Sequence, residues 1–182
     1  MIICVGSVFL DHIVKINSFP KKPIKVLAQG IEKRLGGSAA VASFTIKKLG
    51  INTSFIGRLG NDDASKFLKN ELKKFKIKHN NIVEIKGVKS SQSFVYEDKR
   101  GERLLAAFSE KKLLNDKKLP KITFKKNTTV MSDLRWVEAT LYIAKNCNKN
   151  NLNHIVDLDN YELNKKIRQI IHLSSHPIFS ET

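Results

Sequence analysis

The sequence predicts an α/β fold, a mostly parallel sheet wrapped by helices, with a small antiparallel β-flap added at one edge. Three observations carry this. Apolar strand-like runs alternate with amphipathic helical stretches along most of the chain, the order that gives parallel pairing through crossover connections. Short strands near 25–35 and 92–108 fall outside that alternation and read as an antiparallel addition. The chain closes on a strand-like Ile178-Phe179 with no covering helix after it, so the last βα unit reads as open and the fold as incomplete at its C-terminus.

The elements follow in order. Ile2–Val5 is an apolar run ended by Gly6-Ser7, a buried strand, and Asp11–Ile16 alternates as a second. Phe19-Pro20-Lys21-Lys22-Pro23 is a turn, and Lys25–Ala28 and Ile31–Leu35 read as short exposed strands around Gly30. Gly36-Gly37-Ser38 opens a helix to Leu49, with Ser38 as N-cap and Gly50 as stop. Thr53–Ile56 is a strand, Gly57 and Gly60 bracket a loop, and Asp62 starts a helix to Phe75 that places Phe67, Leu68, Leu72 and Phe75 on one face. Val83–Ile85, Gln92–Glu97 and Arg103–Phe108 are strand-like, the last two joined by a hairpin turn at Asp98-Lys99-Arg100-Gly101. A polar, lysine-rich connector follows. Then come Thr129–Ser132 (strand), Trp136–Lys149 (helix), His154–Leu158 (strand), Glu162–Ile170 (helix) and a short strand at Ile171–Leu173.

Composition narrows the classes. With 182 residues the chain can bury a real core. No stretch approaches the roughly 20 apolar residues of a membrane span. Residues 1–10 lack a basic leader and run straight into Asp11 and His12, which argues for a buried strand and against a signal peptide. Cys4 and Cys147 stand far apart with no metal-type spacing, so a reducing, cytoplasmic compartment and core packing are expected. The charge is +16, from 33 basic and 17 acidic residues. The lysines are spread along the chain without a nucleic-acid signature, so a solvated lysine surface ranks first, attraction of anionic ligands second and a nucleic-acid surface last.

Five features carry chemistry. Gly36-Gly37-Ser38-Ala39-Ala40 lets the backbone approach a ligand at a helix N-terminus, although a tight strand-to-helix turn needs the same residues. Gly57-Arg58-Leu59-Gly60-Asn61-Asp62 is a sharp loop in which Asp62 caps the next helix. Asp11, just after a buried strand, can accept hydrogen bonds from sugar hydroxyls or serve as a turn acid. Gly101-Glu102-Arg103 follows the hairpin turn and is either functional or a solvated Glu/Arg pair. Asp133-Leu134-Arg135-Trp136 and Asp157-Leu158-Asp159 follow successive strands, on the carboxyl edge where open α/β sheets bind ligands, though each acid could merely cap a helix.

Taken in order, these motifs resemble the ribokinase-like PfkB family of carbohydrate kinases over essentially the whole chain. That family begins with a strand and a Gly-Ser-x-x-x-Asp element, matched by Gly6-Ser7-Val8-Phe9-Leu10-Asp11. Its first signature runs from a Gly-Gly helix start to Leu-Gly, then a strand and a Gly-x-x-Gly-x-Asp loop. Gly36-Gly37, Leu49-Gly50 and Gly57 to Asp62 match it, and Gly101-Glu102-Arg103 matches the family's flap hairpin. The elements at Asp133 and Asp157 look like a ketohexokinase-like and sulfofructose-kinase-like subgroup.

The resemblance implies a ribokinase-like three-layer sandwich, 1–182 forming the N-terminal portion of a single domain with lid segments at about 12–35 and 88–109 inserted. It implies ATP-dependent, magnesium-assisted phosphoryl transfer to a sugar hydroxyl, with sugar contacts at Asp11, Gly36, Gly37, Val41, Arg103, Asp133 and Arg135, and a homodimer through the lid. Two departures matter. Val41 stands where the signature commonly has Asn, and valine offers a hydroxyl no hydrogen bond. The family's Asp-Thr-x-Gly-Ala-Gly-Asp signature, which supplies the general base and the anion hole, does not occur, so no catalytic residue and no metal ligand is assigned. Ser180-Glu181-Thr182 falls at the family's Asn-x-x-Glu element, which leaves Glu181 as the one cofactor-side candidate. The expectation is therefore a sugar-binding chain, with no nucleic-acid or membrane partner, that is not a competent kinase by itself. The alternatives are a non-catalytic sugar-binding or regulatory remnant and, last, a basic nucleic-acid-binding protein.

Overall fold

The computed structural model describes residues 1–115, 118–159 and 162–179. Its larger sheet has six strands in the order β10-β9-β8-β1-β4-β5, formed by β1 (Ile2–Gly6), β4 (Thr53–Leu59), β5 (Val83–Glu84), β8 (Thr129–Asp133), β9 (His154–Asp157) and β10 (His176–Ile178). Every pairing in it is parallel. Parallel strands need long crossovers, and helices supply them. β1 lies at the centre, paired from Ile2 with Thr53 on one side and with Thr129 on the other.

Alternation along β1 divides the core. Cys4 faces Phe55, Leu59, Ala39, Ala40, Leu68 and Leu72, so α1 (Ser38–Lys48) and α2 (Asp63–Lys74) cover one side. Ile3 and Val5 face Ile56, Val130, Ile143 and Cys147, so α4 (Val137–Lys149) covers the other. α5 (Lys165–Leu173) joins it there through Ile167 and Ile170 against Val156. Each such buried aliphatic side chain contributes roughly 1.5–3 kcal/mol of transfer free energy. The two cysteines are buried and free, as expected.

The smaller sheet has the order β3-β2-β6-β7, from β2 (Phe9–Lys15), β3 (Gly30–Gly36), β6 (Gln92–Glu97) and β7 (Arg103–Phe108). It is mixed and not purely antiparallel, because β2 and β6 pair in parallel. Both strands leave the larger sheet in the same direction, so neither can run back along the other. The hairpin turn forms as expected: Asp98 Oδ1 accepts from the Arg100 and Glu102 amides.

Several expectations change. Lys25–Ala28 is not a strand; residues 21–29 are exposed, and of their amides Gln29 alone reaches back to β2, at Lys15 O. Ile171–Leu173 is the last turn of α5, because Ile167, Ile170 and Ile171 continue one helical face after the cap at Asn164. The Gly57–Gly60 stretch is mostly strand, since β4 runs through Arg58 to Leu59. The lysine-rich connector contains a short helix, α3 (Lys111–Asn115), anchored by buried Leu113. Among the described residues no helix is long and apolar enough to cross a membrane.

Candidate functional site

The carboxyl ends of β1, β4 and β8 open into a cleft of about 990 Å³ beneath the smaller sheet. Its floor is Gly6, Ser7 and Val8, its roof includes Phe9, Ser91, Ala107 and Ser109, and its far wall holds Leu113, Leu114, Leu134, Arg135 and Trp136.

Asp11 sits on the roof strand β2, two residues beyond Phe9 and therefore on the same face. It is in register with Ser93 of β6, which in turn pairs with Ala107 of β7. The Ser93 hydroxyl donates to Asp11 Oδ1 at 2.6 Å. Among the described residues Oδ2 has no protein hydrogen-bond donor. Burial pushes the Asp11 carboxyl above its ordinary range, and the Ser93 hydroxyl and the nearby His12 pull it back.

The two glycines explain themselves sterically. A Cβ at Gly36 would lie 1.9 Å from Asp11 Oδ2, so a side chain there would displace the carboxylate. Gly37 has φ of 92°, and its Cβ would lie 2.8 Å from the Ser7 carbonyl. Ser38 does not cap α1, contrary to expectation; the cap position is Gly37, and no side chain within the turn supplies a bond.

The cap comes from far along the chain. Asp133 Oδ2 accepts from the Ala39 amide at 3.2 Å, from the Ser7 amide at 2.8 Å and from the Ser7 hydroxyl at 2.6 Å. Asp133 Oδ1 accepts from the Arg135 amide at 3.0 Å. The expected anion-attracting N-terminus of α1 is thus engaged internally. Burial raises the Asp133 carboxyl, against the hydrogen bonds from Ser7, Arg135 and Ala39 that lower it.

Arg135 lines the cleft with its side chain half exposed and 3.4 Å from Asp159. Val41 lies in the first turn of α1, 44% exposed; like Asp11, Gly36, Gly37 and Asp133, it is not among the residues that line the cleft. Arg103 is not brought to the group. It pairs with Glu97 at 3.6 Å, not with Glu102, and stands four residues along β7 from Ala107, roughly 13 Å at strand rise. Glu181 lies outside the described residues.

Sequence reading missed three participants. Ser93 is signalled only by its alternation with Val95 on the roof strand. Ser7, half of the Gly-Ser pair, reads as a strand end. Arg58 reads as a loop residue, yet it is 7% exposed and donates to Leu114 O at 2.7 Å and Arg135 O at 3.0 Å while stacking 4.7 Å over Trp136. Among the described residues no cluster of three or more His, Cys, Asp or Glu side chains is disposed to hold a metal.

Comparison with known proteins agrees with this fold. The model of the pfkB family of carbohydrate kinases matches residues 1–180. A nucleoside kinase of Methanocaldococcus jannaschii is 26% identical over 103 residues, covering 57% of this chain and 34% of that protein. The crystal structure of an archaeal ribokinase-family nucleoside kinase from the same organism superposes with a TM-score of 0.77 at 22% identity, covering 97% of this chain and 59% of that one. A protein of Agrobacterium tumefaciens provisionally named a ribokinase gives a TM-score of 0.87 at 24% identity, covering 97% and 57%. Arabidopsis thaliana ribokinase, solved with ribose and ATP, gives 0.68 at 22% identity, covering 86% and 53%. The chain spans under two thirds of each of these relatives. The family pattern runs through both sheets and the two-glycine turn, and this chain belongs to the pfkB family of carbohydrate kinases.

Proposed function

We propose that these residues form the sugar-acceptor side of a phosphotransferase site. Asp11 accepts hydrogen bonds from sugar hydroxyls, Gly36 and Gly37 let the backbone approach the ring, and the smaller sheet is the lid above it. One observation carries the reading: Asp11 is anchored on one oxygen by Ser93 and faces a turn stripped of side chains with the other. A carboxylate–hydroxyl bond in such a place is charge-assisted and shape-selective. In the whole protein the acceptor hydroxyl would receive the γ-phosphoryl group of ATP with magnesium assistance. The sequence contains no Asp-Thr-x-Gly-Ala-Gly-Asp element, so the 182-residue polypeptide binds sugar and does not turn over ATP by itself.

Titration of the purified chain with D-ribose, D-fructose and adenosine by calorimetry tests this. Asp11→Asn should weaken whichever ligand binds by about 10- to 100-fold, the value of one charge-assisted bond. Unaltered affinity in that variant would remove Asp11 from the site, and ATP consumption by the chain alone would overturn the division of labour.

The cleft supports a second reading of the acceptor. A free pentose has no large apolar face, whereas Phe9, Leu113, Leu134 and Trp136 give the cleft an apolar wall beside the Asp11 row. A nucleoside places its base against such a wall and its ribose under Asp11. Tighter binding of adenosine than of D-ribose would favour it.

The lid also supports a homodimer. Its outward rows bear Ile31 and Leu104 at 72% and 59% exposed, beside Phe94 and Tyr96, and the edge strand β7 is exposed along its length. Exposed apolar edges of this kind favour pairing. Sedimentation of the wild type against Phe94→Glu tests it; a wild-type monomer at all concentrations would refute it.

A further inference from the structure

We propose that Asp133 is a positioning residue of this site: acting through Ser7 and Ala39, it holds the two-glycine turn beneath Asp11 and does not itself touch the sugar. The inference rests on the sugar-site reading for what the turn does, but its own observations are separate.

The first is saturation. An ionised carboxylate offers about four acceptor positions. Asp133 spends them on the Ser7 amide, the Ser7 hydroxyl, the Ala39 amide and the Arg135 amide, all within 3.2 Å. Three of these bonds fall on Oδ2 and one on Oδ1, and the residue is 3% exposed, so burial closes what remains of Oδ1 to a hydroxyl in the cleft. The second is the space made for it. Gly6 has φ of 148°, and a Cβ there would lie 2.4 Å from Asp133 Oδ1. The end of β1 can take this path only because no side chain is present.

The third is how the bonds propagate. Ser7 O accepts from the Ala40 amide at 3.2 Å, so Ser7 and Asp133 together engage two successive amides at the start of α1. Gly37 packs directly on Ser7, and Gly36 packs directly on Asp11. A continuous chain of contacts therefore runs from Asp133 through Ser7 and the glycine turn to the Asp11 carboxylate. The end of β8 thereby sets the height of the turn under the lid. An ångström of movement in α1 would change the gap between Asp11 and Gly36 by about as much, which is the scale on which bound geometry governs reactivity.

Hydrogen–deuterium exchange on the full chain, read by peptide, tests this with Asp133→Asn. Exchange should accelerate at least tenfold in peptides covering 6–9 and 36–41, with α2 and α5 unchanged. The dissociation constant for the better of D-ribose and adenosine should rise at least tenfold. Ser7→Ala removes only the hydroxyl donor and should give the same pattern at smaller amplitude, which keeps the test available if Asp133→Asn does not fold. Acceleration spread evenly over all peptides would mark Asp133 as an ordinary core residue and overturn the proposal, as would unchanged exchange at 6–9 and 36–41. Asp11→Asn separates the two readings, because it should weaken ligand binding by about 10- to 100-fold and leave exchange at 36–41 as in the wild type. A wild-type chain that binds none of D-ribose, D-fructose and adenosine defeats the sugar-site reading, while the exchange pattern still decides whether Asp133 sets the turn.

Discussion

Replacing Gly36 by alanine adds one methyl group at the point where the smaller sheet meets the core. The added carbon would sit 1.9 Å from Asp11 Oδ2 and 2.3 Å from its Cγ. Non-bonded heavy atoms touch at roughly 3.5 Å, so more than an ångström must be recovered by movement. Gly36 has no left-handed φ, so the penalty is steric and not conformational. Two responses are open. If the backbone holds, Asp11 must swing away and give up its bond from Ser93, a loss of about 1.5–3 kcal/mol for a charged acceptor. If Asp11 holds, β3 must lift, at the usual cost of overpacking, about 1–3 kcal/mol. The chain takes some of each, and we expect about 2–4 kcal/mol of destabilisation, or a melting temperature lower by about 4–16 °C at this size.

The control is built into the same strand. A Cβ at Gly30 meets nothing within 4 Å, so Gly30→Ala should be neutral or stabilise by about 0.4–1 kcal/mol. Urea unfolding of both variants gives the stabilities, and calorimetric titration gives the ligand affinity. Gly36→Ala should lose affinity along with stability, because the displaced group is the proposed sugar acceptor. A Gly36→Ala protein as stable as Gly30→Ala, with affinity intact, would show that Asp11 is not seated against the turn.

Other perturbations have equally definite expectations. Arg58→Ala should cost about 3 kcal/mol in urea unfolding, since it orphans the Leu114 and Arg135 carbonyls and removes the stack on Trp136; lysine should recover less than half of that, as an ammonium lacks the fork that spans both acceptors. Burial pushes the Cys4 thiol up to about 12 and the Cys147 thiol to about 11, so labelling by a disulfide reagent at pH 8 should follow global unfolding in urea and be absent from the native chain. Burial also lowers His154 to about 4, between the Ser132 and Ser174 hydroxyls. Below the ordinary value of about 6.5 the unfolded chain takes a proton that the native chain refuses, so stability is full above that value and should fall by about 2 kcal/mol between pH 7 and pH 5; His154→Gln should flatten that slope.

Local sequence reported the elements whose causes are local. Asp62 caps α2 through the Ser65 amide, three residues away, and Asp98 closes its hairpin through amides two and four residues away. The apolar runs of β1, β4 and β8 read as strands because both their faces are covered. Where two periods compete, the reading slipped. Ile171 to Leu173 is a short apolar run that suits either element, and only the face shared with Ile167 and Ile170 makes it helix. Lys25 to Ala28 has the composition of a strand but no neighbour to complete its hydrogen bonds, and a strand is a property of the pair.

The site divides along the same line. The glycine turn is legible because an absence of side chains is written in the sequence at the place where it acts. The partner that makes the turn necessary is not. Asp133 lies 126 residues from Ser7 and 94 from Ala39, and nothing in its own neighbourhood distinguishes it from a helix cap. Its role depends on sheet order. β1 is flanked by β8 and β4, so the ends of β1 and β8 emerge side by side, with Val5 opposite Ser132. The next residues, Gly6 and Asp133, must then share one space, which is why the first has no side chain and the second fills the gap. Were β8 not a neighbour of β1, the same sequence motifs would leave α1 without this internal carboxylate. Whether a helix N-terminus binds a ligand or an internal carboxylate is therefore decided by strand order, and motif spacing alone carries no information about it.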